Sequence, residues 1–296
     1  MANEHKNIPI VFSTDHNFIM PTGVSIYSLL VSRESTNYDI YVIVSNNVTE
    51  DDKNLLKKQV QVLSTDSTIN FISIGDNFKN SYEIRGVTVA TYYRLLIPWL
   101  LPDLDKVIYS DGDIIFKGPL NILYERDIKD NLICGNRKEK WQKKAASRIK
   151  KLGLEPHDYS NAGFLIINSK AQRDANLYDA YMRHAQKQYY FQDQDIINIV
   201  CSGKKAFFEP IYNCTPSVFN DLCRDADINY SDIKVIHYAG TKPWSRFCPF
   251  WMEWWEAYRN SIFFNPNLYY SVTAKSLNPK EFVKNLCKKA IHKYFK

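Results

Sequence analysis

The chain has 296 residues, of which 45% are hydrophobic and 24% charged, a balance typical of a globular protein with one large core. Its net charge is +6, but residues 275–296 hold seven lysines and one glutamate, which leaves 31 basic and 31 acidic residues in the remainder. Because the net charge of the body is zero, the composition does not support a broad basic face for nucleic acid, and we expect no nucleic-acid partner.

The chain shows neither the pattern of a signal peptide nor an apolar run that approaches the roughly 20 residues of a membrane span. Its six cysteines are scattered without a C-x-x-C pair, which argues against a zinc site and against a disulfide framework. We therefore expect a cytoplasmic protein with reduced, mostly buried thiols.

Strands and helices alternate regularly through the first half of the predicted fold. The predicted strands are at residues 8–12, 39–44, 69–74 and from 107, and the predicted helices at 22–31, 49–62 and 88–101. This alternation predicts right-handed crossovers and a mainly parallel sheet that binds ligands at the carboxyl ends of its strands. The second half is less regular, with strands predicted at 132–135, 163–168 and 234–237 and helices at 175–186 and 195–201. The simplest division is one domain, 1–260, and a C-terminal appendage, 261–296.

Two carboxylates follow the strand that begins near residue 107. The stretch KVIYSDGDIIFKGPL, residues 106–120, places Asp111 and Asp113 at its end. Residues two apart on a strand point to the same side, so we expect both carboxylates to lie close together. Either a hard divalent cation offsets their repulsion, or the stretch is an ordinary solvated turn; the D-G-D pattern alone leaves both interpretations open.

Four further stretches accompany this aspartate pair. They are FSTDHNF (12–18), TYYRLLIP (91–98), YSNAGFLIIN (159–168) with FQDQDIIN (191–198), and HYAGTKPW (237–244). Each has a structural explanation by itself, but in this order the set resembles the family 8 glycosyltransferases, which include bacterial lipopolysaccharide galactosyl- and glucosyltransferases and the glycogenins. The resemblance implies an α/β GT-A fold with a Rossmann-like, mainly parallel sheet. It also implies a retaining hexosyltransferase that moves glucose or galactose from a UDP-sugar donor to a saccharide acceptor.

The resemblance further implies roles for individual residues. The metal ligands of the family, which hold Mn²⁺ or Mg²⁺, match Asp111, Asp113 and His237. Residues matched to the nucleotide and its diphosphate are Ser13, Asp15, Asn17, Asp111, Gly112, Gly240 and Lys242. Residues matched to the catalytic surroundings of the donor sugar are Arg94, Asn161, Asp193 and Gln194. A further sugar-binding aspartate of some relatives has no match in the stretch CGNRKEKW, so the donor sugar stays open between glucose and galactose.

Retention of the anomeric configuration has two possible routes. A double displacement needs a carboxylate opposite the departing UDP, whereas a front-face route needs only an oxocarbenium-like state stabilised by nearby oxygens. We favour the front-face route, in which Asp193 and Gln194 line the other face of the sugar.

Two basic segments lie outside these motifs. Residues 137–151 hold eight basic residues against one acidic, which predicts either a solvated helix face or an acceptor-side surface for an anionic group. Residues 278–296 repeat apolar pairs every four positions with lysines between them. This pattern predicts an amphipathic helix that lies on an anionic membrane beside a lipid-linked glycan acceptor, or one that packs on the body.

Two other functions compete with hexosyl transfer. A sugar-nucleotidyltransferase would carry a glycine-rich phosphate loop after the first strand, where this chain reads STDHNFIMPTG. A non-enzymatic glycan-binding module has no need for two aspartates, a histidine and a lysine suited to a metal and a diphosphate.

Overall fold

The computed structural model describes residues 7–75, 89–137, 139–216, 219 and 229–276. The strands are β1 Ile8–Thr14, β2 Tyr38–Val44, β3 Thr68–Ser73, β4 Lys106–Ser110, β5 Ile114–Phe116, β6 Ile133–Asn136, β7 Asn161–Asn168, β8 Lys205–Phe207 and β9 Val235–His237. The α-helices are α1 Ile19–Val31, α2 Glu50–Leu63, α3 Ile97–Leu100, α4 Asn121–Glu125, α5 Glu139–Lys151, α6 Ser169–Asp174, α7 Tyr178–Ala185, α8 Gln192–Val200, α9 Trp251–Asn260 and α10 Pro266–Ser276. These elements form an α/β fold, as the sequence predicts.

The central sheet of the described residues has seven strands in the order β3-β2-β1-β4-β7-β6-β8. Strands β3, β2, β1 and β4 are parallel, as are β6 and β8, which confirms the predicted mainly parallel sheet. Strand β7 is the exception, since it runs antiparallel to both β4 and β6. Its first residues therefore lie at the same edge as the last residues of β1 and β4.

Alternating strand residues pack against helices on both faces of the sheet. Ile10 and Phe12 face a core that contains residues of α1 and α2. Val11 and Tyr109 face a second core that contains residues of a 3-10 segment, Val89–Leu96, and of α8. Because both faces are covered there, the central strands β1 and β4 read as nearly continuous apolar runs in the sequence.

Two of the predicted helices differ in how closely the structure follows the sequence pattern. Thr49 caps α2, and its side chain and that of Asp52 exchange hydrogen bonds with each other's backbone amides. The helix predicted at 88–101 is instead the 3-10 segment followed by the short α3, with Pro98 in the first turn of α3. In the basic stretch, α5 buries Ile149 and exposes Lys143 and Lys150.

The C-terminal helices pack on the small antiparallel sheet of β5 and β9. Trp254 and Trp255 of α9 and Val272 of α10 share one apolar cluster with Ile115 and Ile236. The domain boundary at residue 260 stays a prediction, and residues 277–296 of the proposed appendage lie outside the described residues. None of the described helices is both long enough and apolar enough to cross a membrane.

Candidate active site

A cleft of about 490 Å³ opens at the edge of the sheet where β1 and β4 end and β7 begins. Twelve of the thirteen predicted site residues line it: Ser13, Asp15, Arg94, Asp111, Gly112, Asp113, Asn161, Asp193, Gln194, His237, Gly240 and Lys242. Asn17 does not line the cleft, because it lies exposed on the 3-10 turn His16–Phe18 that Asp15 caps through its side chain. The site thus combines residues that are far apart in the sequence.

Asp111, Asp113 and His237 form a cluster suited to a divalent cation. One ligand atom of each lies within 4.8 Å of those of the other two. The Nε2 atom of His237 is 3.4 Å from Asp113 Oδ1 and 3.8 Å from Asp111 Oδ2. Strand β4 ends at Ser110, so the two aspartates lie in a bend between β4 and β5 and not on one strand. The two carboxylates lie close together, as expected from the sequence, but the bend and not the alternation of strand residues brings them together.

Two observations support the fit of this cluster to Mn²⁺ or Mg²⁺. The Oδ1 atom of Asp113 is buried and has no hydrogen-bond partner among the described residues, and a cation would satisfy it. The Nδ1 atom of His237 is 2.8 Å from the amide oxygen of Asn213, to which it can only donate. His237 therefore carries its proton on Nδ1, which leaves the Nε2 lone pair directed to the aspartates, the usual arrangement for a metal-binding histidine.

Gly163 leaves the space between these ligands open. A Cβ atom at this position would lie 2.5 Å from Asp111 Oδ2 and closer still to His237 Cε1. The carbonyl oxygen of Gly163 also accepts a hydrogen bond from the Asp111 amide at 2.8 Å. The glycine is thus required by the close approach of β7 to the side chains of Asp111 and His237.

Lys242 lies beside Asp113 in the cluster. Its ammonium forms an ion pair with Asp113 Oδ2 and donates to the Tyr238 carbonyl at 3.0 Å. Burial raises the pKa of Asp113, but the neighbouring Lys242 cation opposes this effect, and the pKa lies below its ordinary value. Asp113 is therefore ionised and lies between a cation binding position and a lysine.

Arg94 connects the aspartate cluster with the opposite wall of the cleft. Its guanidinium contacts Asp111 Oδ1 at 2.9 Å and Asp193 Oδ2 at 3.1 Å, and it donates to the Ala162 carbonyl at 2.7 Å. Burial alone would lower the pKa of Arg94, but the negative charges of Asp111 and Asp193 raise it by a larger amount. The guanidinium therefore stays charged. Burial also raises the pKa of Asp193 to about 6, against the opposing effect of Arg94.

Two amide side chains form the wall beside Asp193. The Oε1 atom of Gln194 accepts from Asn161 Nδ2 at 2.9 Å and from the Ala162 backbone amide at 3.2 Å. The Oδ1 atom of Asn161 accepts from Asn213 Nδ2 at 2.9 Å. These hydrogen bonds fix the positions of two amide side chains at the cleft, and amides are among the groups that bind sugar hydroxyls.

On the β1 side, Ser13 is connected to the Asp111 carboxylate through Tyr109. The Ser13 hydroxyl is 2.9 Å from the Tyr109 hydroxyl, which donates to Asp111 Oδ1 at 2.8 Å. Gly112 approaches Thr22 so closely that a side chain would clash with the threonine hydroxyl. Gly240 has a φ of 120°, a conformation that favours glycine.

Sequence reasoning missed several residues of the site. The cleft is also lined by Thr14, Phe18, Ala90, Thr91, Ala162, Gly163, Tyr190, Phe191, Gln192 and Ala239. Gln192 lies within the Q-D-Q-D motif and has a φ of 40°, a strained value for a residue with a Cβ atom. Asn213, which orients His237, is the last residue of the 3-10 turn Pro210–Asn213, whose sequence carries no signal for this role.

The chain is similar to known proteins over most of its length. The glycosyl transferase family 8 model matches residues 9–248. Lipopolysaccharide glucosyltransferase WaaO of Escherichia coli K12 is 27% identical over 256 residues, which cover 82% of this chain and 74% of that protein. Lipopolysaccharide 1,3-galactosyltransferase of Salmonella typhimurium is 28% identical over 270 residues, which cover 86% and 76%.

Among solved structures, the galactosyltransferase LgtC in complex with donor and acceptor sugar analogs superposes with a TM-score of 0.75. It is 24% identical and covers 87% of this chain and 98% of its own. This likeness confirms the predicted GT-A fold. The family model spans most of the sequence, and the chain belongs to glycosyl transferase family 8.

Proposed function

We propose that this protein is a retaining, metal-dependent hexosyltransferase that uses UDP-glucose or UDP-galactose to extend a lipopolysaccharide or another bacterial surface glycan. One observation carries the proposal. The same cleft holds a cluster of cation-binding side chains next to Lys242 and, on its opposite wall, the Arg94–Asp193 ion pair with two side-chain amides. The named activities of the relatives, glucosyl and galactosyl transfer in lipopolysaccharide synthesis, support a hexose donor.

The cation side of the cleft suits the diphosphate of the donor. Asp111, Asp113 and His237 would hold Mn²⁺ or Mg²⁺, whose oxygen and imidazole ligands they provide. A bound divalent cation would supply positive charge against the diphosphate that leaves. Lys242 adds a point charge at the same place, and Ser13 and Asp15, which line the cleft, are proposed to bind the uridine.

The opposite wall suits the donor sugar. Arg94 is held by carbonyl and carboxylate oxygens, so its remaining donor capacity points in a fixed direction. Asp193 and Asn161 offer acceptors and donors for sugar hydroxyls. In the front-face route, the carboxylate of Asp193 and the amide of Gln194 would stabilise an oxocarbenium-like state while the acceptor attacks from the side of the departing UDP.

A screen of UDP-sugars tests the proposal directly. We expect slow hydrolysis of one UDP-hexose and its transfer to a glycan acceptor, both dependent on Mn²⁺ and both stopped by EDTA. Proton NMR of the new anomeric centre should show an α-glycoside from the α-linked donor. A β-linked product would contradict retention. Glycan binding without metal-dependent UDP binding would favour a glycan-binding module, and formation of UDP-sugar from UTP would favour a nucleotidyltransferase.

Asp193→Ala should separate sugar contacts from nucleotide contacts. We expect kcat to fall by about 100-fold or more while the Kd for UDP changes little, because Asp193 lies on the sugar wall and its contact strengthens in the transition state. Asp174→Ala, at an exposed position on α6, is the control and should keep wild-type kinetics. Equal losses of UDP affinity and turnover would assign Asp193 a structural role.

We place the enzyme in the cytoplasm or peripherally on the inner face of the cell membrane, through its basic tail. Deletion of residues 278–296 should release the protein from anionic liposomes at low salt and slow transfer mainly to lipid-linked acceptors, because the tail lysines carry the positive surplus. Flotation with vesicles measures binding, which should weaken with added salt. Full-length protein that ignores anionic vesicles, or truncation that unfolds the body, would favour a packed structural helix.

A further inference from the structure

The side-chain amide of Gln194 is held at both of its ends. Its oxygen accepts from the backbone amide of Ala162 at 3.2 Å, and a backbone amide can only donate. Its nitrogen donates to the hydroxyl of Tyr159 at 3.1 Å. The two contacts together determine which end of the amide faces which neighbour.

Tyr159 can accept this hydrogen bond from Gln194 because its own hydroxyl proton is donated to another residue. Its hydroxyl donates to Oδ1 of Asp195, and an ionised carboxylate can only accept. The phenol therefore offers Gln194 a lone pair and no proton. Burial and the nearby Asp195 charge raise the pKa of Tyr159 above its ordinary value, so it stays protonated.

Asp195 is in turn fixed within the fold. It is fully buried, and it accepts from Arg148 Nη1 at 2.9 Å with both oxygens and from the Phe191 backbone amide at 2.9 Å. Arg148 belongs to α5 and supplies the charge that a buried carboxylate requires. None of Tyr159, Asp195 and Arg148 is among the residues that line the cleft.

We propose that Tyr159 is a positioning residue for the transfer step, which acts through Gln194 and is held in turn by Asp195 and Arg148. The inference rests on the proposed function, in which the Gln194 amide faces the reacting sugar. If the Gln194 amide flipped by about 180°, its NH₂ group would take the place of its oxygen beside Asn161 and Ala162. The positive end of the amide dipole would then lie nearer an oxocarbenium-like state, which it would destabilise.

The test is Tyr159→Phe, which removes one hydroxyl and keeps the ring. We expect kcat to fall roughly tenfold, the effect of one lost hydrogen bond in the transition state, with little change in the KM for UDP-sugar or the Kd for UDP. Tyr181→Phe is the matched control, because this buried tyrosine bonds to Gln172 and Cys201 away from the cleft. It should keep wild-type kcat.

A double-mutant cycle distinguishes positioning from general stability. In a Gln194→Ala background, Tyr159→Phe should cause no further loss of kcat, because the residue through which it acts is gone. Equal losses in both backgrounds would overturn the proposal. So would a wild-type kcat in Tyr159→Phe, or unfolding of this variant under conditions where Tyr181→Phe stays folded.

A crystal structure of Tyr159→Phe gives a readout that does not depend on activity. We expect the Gln194 side chain to leave its single position and to lose the contact with the Ala162 amide. An unchanged Gln194 would overturn the positioning role. If wild-type protein transferred no hexose, the proposed function would fail, and the position of Gln194 would still decide the role of Tyr159.

Discussion

Asp113→Asn should abolish hexosyl transfer, with a loss of at least about 1,000-fold in kcat, while the protein stays folded. The amide has nearly the shape of the carboxylate, but it cannot neutralise a divalent cation, and it loses the ion pair with Lys242. Calorimetric titration of Mn²⁺ in the presence of UDP, together with a transfer assay, measures both effects.

Asp105→Asn is the matched control for this variant. Asp105 precedes β4, as Asp113 follows it, and it also pairs with a cation, Arg173, but its side chain is 71% exposed. Asp105→Asn should therefore keep metal binding and transfer. Transfer that survives both Asp113→Asn and EDTA would remove the metal assignment.

Gly163→Ala should also strongly weaken metal-dependent UDP binding, although the substitution removes no functional group. The added methyl group would occupy the space between Asp111 and His237, so we expect metal-dependent UDP binding to weaken by about 100-fold or more. Mn²⁺ titration in the presence of UDP again provides the measurement, and circular dichroism checks that the sheet is retained.

Gly118→Ala serves as the control for added volume at a glycine. A Cβ atom there would lie 3.1 Å from the side chain of Lys234, which can move aside. That variant should bind Mn²⁺ and UDP as the wild type does. If Gly163→Ala also bound both normally, the cation would not lie between Asp111 and His237.

Local patterns were sufficient for most of the fold. The capped start of α2 and the apolar runs of β1, β2 and β4 are encoded in neighbouring residues, and the structure confirms them. The reversed direction of β7 could not be predicted, because a strand buried on both faces shows the same apolar run in either direction. The 3-10 geometry at Val89–Leu96 was equally hidden, since its apolar spacing resembles that of an α-helix.

Site residues could be predicted from the sequence where they belong to a motif of chemically reactive or charged residues. Residues that only the fold brings to the site could not be predicted. Resemblance selected Asp111, Asp113 and His237, which the structure brings together. Asn213 lies outside the quoted motifs, and Tyr159 opens the stretch YSNAGFLIIN. The contacts of Asn213 with His237 and of Tyr159 with Gln194 join residues distant in sequence, so no local pattern predicts them. Their roles follow from hydrogen-bond partners that become visible only in three dimensions.

The antiparallel course of β7 also limits how this site can change in evolution. Asn161 and Gly163 face the cleft from a strand whose register against β4 pairs Phe164 with Ser110. An insertion of one residue within the strand would turn alternate side chains to the opposite face and would remove both residues from the cleft. Insertions before Asn161 leave this register intact, so we expect length variation among relatives to fall in the connection between β6 and β7.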